Sequence, residues 1–436
     1  MNAMRFRDAQ AQLESRQPEH MPEPSLERMR ILADYLDEPQ LTYPTVHVTG
    51  TNGKSTTARA VARLACAHEV ITGLYLSPHL VTVRERLSVC GEMISEQEFA
   101  DEWARLAPYF DLVDSRGGTA VTYFEALTAL AYLWFADRPV GLGVFEVGMG
   151  GTWDATNLVA SDVAVICPVG MDHVAELGPT ITDIAREKAG IIKAKRAVVV
   201  REQDAEVQTV LDARAQEVGA ELKLEFRDWE VDDRLQAVGG QSFSVRGLHA
   251  TYDDLFIPLF GEYAARNAAA GLVAIEALFG KALELDVVRE ALAGLRSPGR
   301  LEIIERDPLL VLDGAHNPAG AEALSVAIRE AFIWERLHLV LSTSANKDLD
   351  GIVVPLAPIA DVVYLTENNS VRSADPLLLA ERFATVGGSV QIQPSVAAAI
   401  DAARSAAGPG DLILVTGSLY TVADAYRALG RPLGDI

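Results

Sequence analysis

Basic residues are in short supply: 38 Lys and Arg stand against 61 Asp and Glu, a net charge of −23. That balance excludes broad electrostatic contact with nucleic acid or an anionic lipid surface, so an anionic ligand has to be met by a local basic pocket. Long apolar runs are missing too. No stretch approaches the roughly 18 consecutive apolar residues of a membrane span, and “MNAMRFRDAQAQLESRQPEH” lacks the apolar core of a secretory signal. The expectation is a cytoplasmic protein with neither nucleic acid nor membrane as a partner. Cysteine is rare. Cys66, Cys90 and Cys167 are odd in number and widely spaced, each in an apolar stretch or beside a strand, which predicts reduced, structural thiols and neither a disulfide framework nor a zinc knuckle.

What is abundant is core-building material, 49% apolar residues over 436 positions, enough for about two or three domains. From Thr45 to about Ile192 short apolar runs alternate with amphipathic helices, the pattern of a doubly wound parallel sheet. “TVHVT”, “GLGVFEV” and “VAVICPV” each end in a polar or glycine-rich turn, and the last has no polar alternation, as a strand buried on both faces requires. From about Glu221 to Pro258, “LKLEF”, “QSFSVRG” and “LFIPLFG” predict a small mixed or antiparallel β insertion. A Pro-Gly turn in “LRSPGRLEII” marks the domain boundary, giving residues 1–298 and 299–436. Beyond it the strand, turn, helix rhythm restarts through “PLLVLDGAHNPAG”, “RLHLVLSTSANKD”, “DVVYLTENN”, “SVQIQP” and “DLILVTGSLY”, which predicts a second, Rossmann-like α/β domain.

The stretch “VHVTGTNGKSTTARAVARL”, Val46 to Leu64, places Gly50, Thr51, Asn52 and Gly53 between a strand and a helix that starts near Lys54. Backbone N–H groups and the positive end of the helix dipole then converge where a phosphate is the natural guest, although Val48 stands where the strict phosphate-loop spacing has glycine. Lys54 would meet terminal phosphates and Ser55 would reach magnesium. Glu146 closes the strand of “GVFEVGMGGTWDATN”, at the sheet edge where α/β proteins bind ligands, and a carboxylate there needs a partner or a cation. Asp154 and Asn157 read as turn-shaping residues. Asp172 and His173 end the next strand, beside Glu146 if the two strands are neighbours, with His173 either a metal ligand or a hydrogen-bonded loop residue. In “TDIAREKAGIIK”, Lys188 lies near a helix end, where burial would let a neutral amine react with carbon dioxide. In the second domain Asp313, His316, Asn317, Lys347, Asp348 and Ser418 sit at strand ends that line one sheet edge, which is expected to face the phosphate loop across a cleft.

Taken together, “GTNGKS”, “LSPHL” followed by “RERLSV”, “TYFEALTALAY”, “EVGMGGTWDATN”, “DHVAELGPTITDIAREKAGIIK”, “SPGRLE”, “LDGAHNPAG”, “NKD” and “VTGSLY” resemble the folylpolyglutamate synthase and dihydrofolate synthase family of the Mur ligase superfamily. The resemblance runs from about residue 24 to about residue 429. It implies an N-terminal Mur-ligase-type ATPase domain, a C-terminal glutamate-ligase domain and a monomer. It also implies ATP-driven joining of L-glutamate to a folate or dihydropteroate carboxylate through an acyl phosphate. By the same resemblance ATP falls on Gly50, Thr51, Asn52, Gly53, Lys54, Ser55, Asn267, Arg300 and Asp313, and magnesium on Ser55, Ser77, Glu146 and His173. Lys188 matches a carbamylated lysine. The pterin pocket maps to Thr122, Tyr123, Phe124, Glu125 and Trp153, and the incoming glutamate to His316 and Ser418. Lys54, Lys188, Asp313 and His316 carry the expected catalysis. Two departures stand out: Ser55 follows Lys54 directly where many relatives insert a glycine, and “GGTWDATN” replaces the commoner “GGRLDATN”. A peptidoglycan-type Mur ligase is the alternative, disfavoured because only 49 residues precede Gly50. A nucleotide-binding protein without ligase chemistry is the other.

Overall fold

The computed structural model describes residues 4–19, 25–386 and 389–431, so the extreme ends of both expected domains lie outside the described residues. Eight strands form the first sheet: β1 Thr45–Thr49, β2 Thr72–Tyr75, β3 Leu87–Val89, β4 Glu92–Met93, β5 Leu142–Glu146, β6 Val163–Ile166, β7 Ala197–Val200 and β8 Glu221–Leu224. Their order is β4-β3-β2-β5-β1-β6-β7-β8. All pairings are parallel except those of β3 with β2 and with β4. β1 is therefore central, and every one of its residues is buried, as a strand covered on both faces must be.

Each face of this sheet has its own core. On one, Val46, Val48, Val144 and Val165 pack under the helices Lys54–Ala67 and Glu262–Phe279. The two helices approach closely because their contact is built from small residues: a Cβ on Gly271 would stand 2.7 Å from that of Ala60. On the other face, Tyr43, Tyr75 and Phe145 form an aromatic cluster with Tyr132 and Phe135 of the helix Tyr123–Asp137. Each large side chain fully buried there contributes about 1.5–3 kcal/mol.

Three antiparallel strands, β9 Glu230–Ala237, β10 Gly240–Arg246 and β11 Thr251–Ile257, make the small insertion. It is tethered by Tyr252, whose hydroxyl donates to Glu276 (2.8 Å) and accepts from the Leu283 N–H (2.8 Å). The insertion starts later than the expected Glu221. “LKL” instead pairs parallel with β7 as the edge strand β8, because the helix Ala205–Val218 makes a crossover between them.

The third sheet contains β12 Glu302–Arg306, β13 Leu309–Leu312, β14 Leu337–Leu341, β15 Val362–Leu365, β16 Ser389–Ile392 and β17 Leu412–Thr416, in the order β12-β13-β17-β14-β15-β16. It is parallel apart from β12 on β13. The expected doubly wound sheet with a small β insertion and a second α/β sheet is what the chain adopts.

The condition that would set Asp172 beside Glu146 is not met, since β1 lies between β5 and β6. One further expectation needs correction. Cys66 and Cys90 are not reduced thiols: they form a disulfide with a Cα separation of 5.7 Å. The antiparallel return of β3 along β2 carries Cys90 back to the C-terminal end of the helix that holds Cys66. Only Cys167 is free and buried, as expected.

Candidate active site

The loop after β1 is shaped by two glycines with positive φ, 148° at Gly50 and 91° at Gly53. A Cβ on Gly50 would lie 2.6 Å from the Cβ of Cys167, and one on Gly53 would lie 2.6 Å from Oδ1 of Asn267. Thr51 pins the loop to the chain after β6, its N–H donating to the Pro168 carbonyl (2.8 Å) and its hydroxyl to that of Gly170 (2.9 Å). Gly53 begins the helix Lys54–Ala67 without a side-chain cap, so the first-turn N–H groups are left for a ligand. The Lys54 ammonium folds over the loop and donates to the carbonyls of Gly50 and Thr51, both at 3.2 Å.

Glu146 ends β5 beside this loop and is almost wholly buried. The Ser55 hydroxyl donates to Oε1 (2.8 Å) and the Ser77 N–H to Oε2 (3.2 Å). Burial pushes its carboxyl up, against the nearby Lys54 charge and the Ser55 hydrogen bond. A buried carboxylate with a hydroxyl on it is a hard oxygen donor set, which suits magnesium. No group of three or more His, Cys, Asp or Glu residues able to hold a metal occurs among the described residues. An ion here would take its remaining ligands from water and phosphate, as magnesium does.

His173 lies on the loop after β6, just before the short helix Val174–Leu177, and lines the same cleft. It adopts a left-handed φ of 51°, and its Nε2 lies 3.8 Å from the Asp172 carboxylate. Burial pulls its pKa down to about 3, against Asp172, so at neutral pH the imidazole is uncharged and retains a free nitrogen lone pair. Lys188, the last helical lysine of Ile181–Ala189, is buried and donates to the Gly50 carbonyl (2.8 Å). Burial, then the Lys54 charge, lowers its pKa to about 7. The surface setting that a lysine has by default does not apply.

Facing the loop across the cleft are the strand ends of the third sheet. Asn52 and Asn317 exchange amide hydrogen bonds, both at 3.1 Å. Asp172 gathers Lys347, His316 (3.6 Å) and Asn317 (3.4 Å) from that side. Burial alone would raise the Asp172 carboxyl; the His316 contact and the Lys347 ammonium hold it well below the ordinary carboxylate range. Asp313 accepts from the N–H groups of Leu301 (2.9 Å) and Ala315 (2.8 Å), and burial raises its pKa against the Arg300 charge. Ser418 caps the helix Leu419–Ala428.

On the first-sheet side, Asn267 is fixed by Arg201, whose guanidinium donates to its Oδ1 and, at 2.9 Å, to Glu225. Thr122 and Glu125 form a reciprocal cap at the start of Tyr123–Asp137, and Arg28 donates to both Glu125 oxygens at 3.0 Å. Phe124 lies under Gly148.

One cleft of about 450 Å³ collects most of the sequence-predicted residues, Trp153, Arg300 and Ser77 included; Asn317 and Asp348 cap helices beside it, and Tyr123 is turned away. Tyr123 is not part of its wall; its ring lies against the guanidinium of Arg86, 5.5 Å away. This is a helix effect, since adjacent positions point about 100° apart and Phe124 takes the inward direction. Asp154 and Asn157 shape turns as expected, Asp154 accepting from the Met149 and Thr156 N–H groups at 2.9 Å. Sequence reasoning missed Arg201, although it directly follows the apolar strand β7, because no motif marks it; Pro18 and Glu19, which also line the cleft, lie in neither a motif nor a patterned strand end.

A phosphate loop on one parallel sheet, facing the strand ends of a second α/β sheet, is the arrangement of a Mur ligase. The Mur ligase middle domain matches residues 48–275, and the Mur ligase glutamate ligase domain matches residues 299–419. More narrowly, the chain belongs to the dihydrofolate synthase/folylpolyglutamate synthase family. It is 40% identical to the protein of that name from Mycobacterium tuberculosis, over 96% of this chain and 93% of that one. With the Escherichia coli protein of the same name it shares 34% identity over 88% and 87% of the two chains. The solved structure of Mycobacterium tuberculosis folylpolyglutamate synthase complexed with ADP superimposes with a TM-score of 0.93 at 39% identity, covering 98% of each chain. E. coli FolC in complex with DHPP and ADP gives 0.87 at 31% identity, again covering 98% of each chain.

Proposed function

We propose that this enzyme uses ATP to join L-glutamate to the carboxylate of a folate or a dihydropteroate. The observation that carries the reading is the cleft itself, in which an uncapped phosphate-binding helix end and the Ser55 and Glu146 pair face Asp313, His316 and Ser418 of the other sheet. The chain holding both walls makes a monomer the proposed working unit, divided at residues 298 and 299 with “SPGR” as hinge.

A carboxylate is a poor acyl donor because its leaving group is oxide. Transfer of the γ-phosphoryl group to it gives ADP and an acyl phosphate. The glutamate nitrogen then attacks the acyl carbon, the C–O bond to phosphate breaks, phosphate leaves with the electron pair and the nitrogen sheds a proton. Gly50 to Ser55 present N–H groups to the nucleotide phosphates, and Lys54 supplies positive charge where the transferred group carries its negative charge. Asn267, Arg300 and Asp313 are assigned to the nucleotide. Thr122, Phe124, Glu125 and Trp153 are assigned to the pterin and His316 and Ser418 to the incoming glutamate; Tyr123 supports the pterin pocket from behind. Ser55, Ser77, Glu146 and His173 are the residues that would hold magnesium, which supplies charge neutralisation when bound. The Lys188 side chain is assigned as a carbamate: the nitrogen of the neutral amine bonds to carbon dioxide and loses one proton, which leaves an anion where a protonated lysine would be a cation.

Replacing Lys54 with Ala is expected to reduce ADP formation that depends on the pteroate or folate substrate by on the order of 100-fold or more. Undiminished turnover in that variant would overturn the assignment.

A further inference from the structure

Two smaller spaces adjoin the cleft. A cavity of about 50 Å³ opens beside Ser55, Pro78, Arg300 and Leu419, all of which also line the cleft. Beyond it, a groove of about 330 Å³ runs between the helices Lys54–Ala67 and Leu285–Ala293 to the surface. Arg59 is the residue common to the cavity and the groove.

The cationic groups fall on one line. Ser55, Arg59 and Arg63 are spaced four residues apart on the same helix, so they share a face that leads from the phosphate loop outward. Arg296 joins Arg63 at the groove. Gly294 leaves room for the Arg63 guanidinium, since a Cβ there would lie 1.7 Å from its Nη2. In a chain of net charge −23, this clustering of three guanidiniums is conspicuous.

Few acidic groups neutralise them, and the two that act on Arg59, Glu146 and Glu85, are already engaged by other donors, Glu146 by Ser55 and the Ser77 N–H. Glu85 borders the small cavity, but its carboxylate accepts from the N–H groups of Leu80 (2.8 Å), Val81 (2.7 Å) and Thr82 (2.7 Å). Glu290 sits exposed in the groove. Nη1 of Arg59 is shut off from solvent and has no hydrogen-bond partner, a costly state for a charged donor. Burial and then Arg296 lower the Arg63 pKa, as expected of cations left without enough counter-charge.

The proposed ligation releases phosphate in the cleft that Ser55 lines, where the nucleotide and the new amide are bound as well. We propose that inorganic phosphate leaves through this second opening, passing from Arg300 to Arg59 and then to Arg63 and Arg296, with Arg59 as the gate. The proposal rests on the ligase reading and adds an exit for one product. A tetrahedral oxyanion is the ligand that the guanidiniums suit, because each offers paired N–H donors.

The test is a single-turnover experiment with ATP, L-glutamate and a dihydropteroate or tetrahydrofolate substrate. ADP is followed by chemical quench and free phosphate by a fluorescent phosphate sensor. In the double variant Arg63→Ala with Arg296→Ala, whose sites are at the surface, ADP is expected to form at the wild-type rate. Free phosphate is expected to appear about tenfold more slowly, equivalent to losing one charge-assisted contact of about 1.4 kcal/mol. Arg59→Met is expected to delay phosphate behind ADP as well. Phosphate that keeps the wild-type delay after ADP in both variants overturns the proposal alone. A wild-type enzyme that forms no substrate-dependent ADP overturns the ligase reading and this proposal with it.

Discussion

Asn52 of the phosphate loop and Asn317 at the start of a third-sheet helix hold each other through two amide hydrogen bonds of 3.1 Å. Asn317 Oδ1 also caps its own helix at the Gly320 N–H (2.8 Å), so the loop and that helix are positioned together.

Replacing Asn52 with Ala removes both bonds across the cleft and leaves the cap. At about 1 kcal/mol per hydrogen bond, the closed arrangement loses about 2 kcal/mol. Small-angle scattering is expected to give a larger radius of gyration for the variant, and the KM for L-glutamate is expected to rise several-fold. An unchanged scattering profile would mean that other contacts, the Asp172 and Lys347 pair foremost, hold the cleft closed.

Glu146→Gln separates stability from activity. The folded state raises this carboxyl's pKa, chiefly by burial, so above the unfolded pKa its charge costs stability. The neutral amide removes that cost, and the melting temperature is expected to hold or rise. Turnover is expected to fall by on the order of 100-fold, with a higher magnesium requirement. A variant that melts much earlier would assign Glu146 a structural role instead.

The amine of Lys188 carries a pH signature. Its folded pKa of about 7 lies below the ordinary 10.5, so the neutral form, the one that attacks carbon dioxide, prevails as pH rises through 7. Incubation with carbon-13 bicarbonate is expected to give a carbamate resonance that grows from about pH 6 to about pH 8. Lys188→Arg should give none. A wild-type protein without the resonance at any pH would leave Lys188 as an amine bound to the Gly50 carbonyl.

Local pattern carried the phosphate loop, the buried strands and the strand-end placement of Glu146, Asp172 and Asp313, because each depends on residues close in sequence. Pairing between distant segments was less legible. “LKL” reads equally well as a strand of the insertion, and only its crossover partner β7 decides otherwise. Cys66 and Cys90 are 24 residues apart, and nothing in their spacing reveals that β3 returns along β2 to join them. Tyr123 shares a motif with Phe124 but not a helix face. Arg201 reaches Asn267 across 66 residues, a contact that no motif announces.

The central claim is glutamate ligation, and the direct measurement is product mass. Purified protein is incubated with ATP, magnesium and L-glutamate, and with either dihydropteroate or tetrahydrofolate. The account predicts a product one glutamyl residue heavier than at least one of these substrates, with one ADP formed per residue added. Unchanged substrate masses in both reactions, with ATP intact, would contradict it.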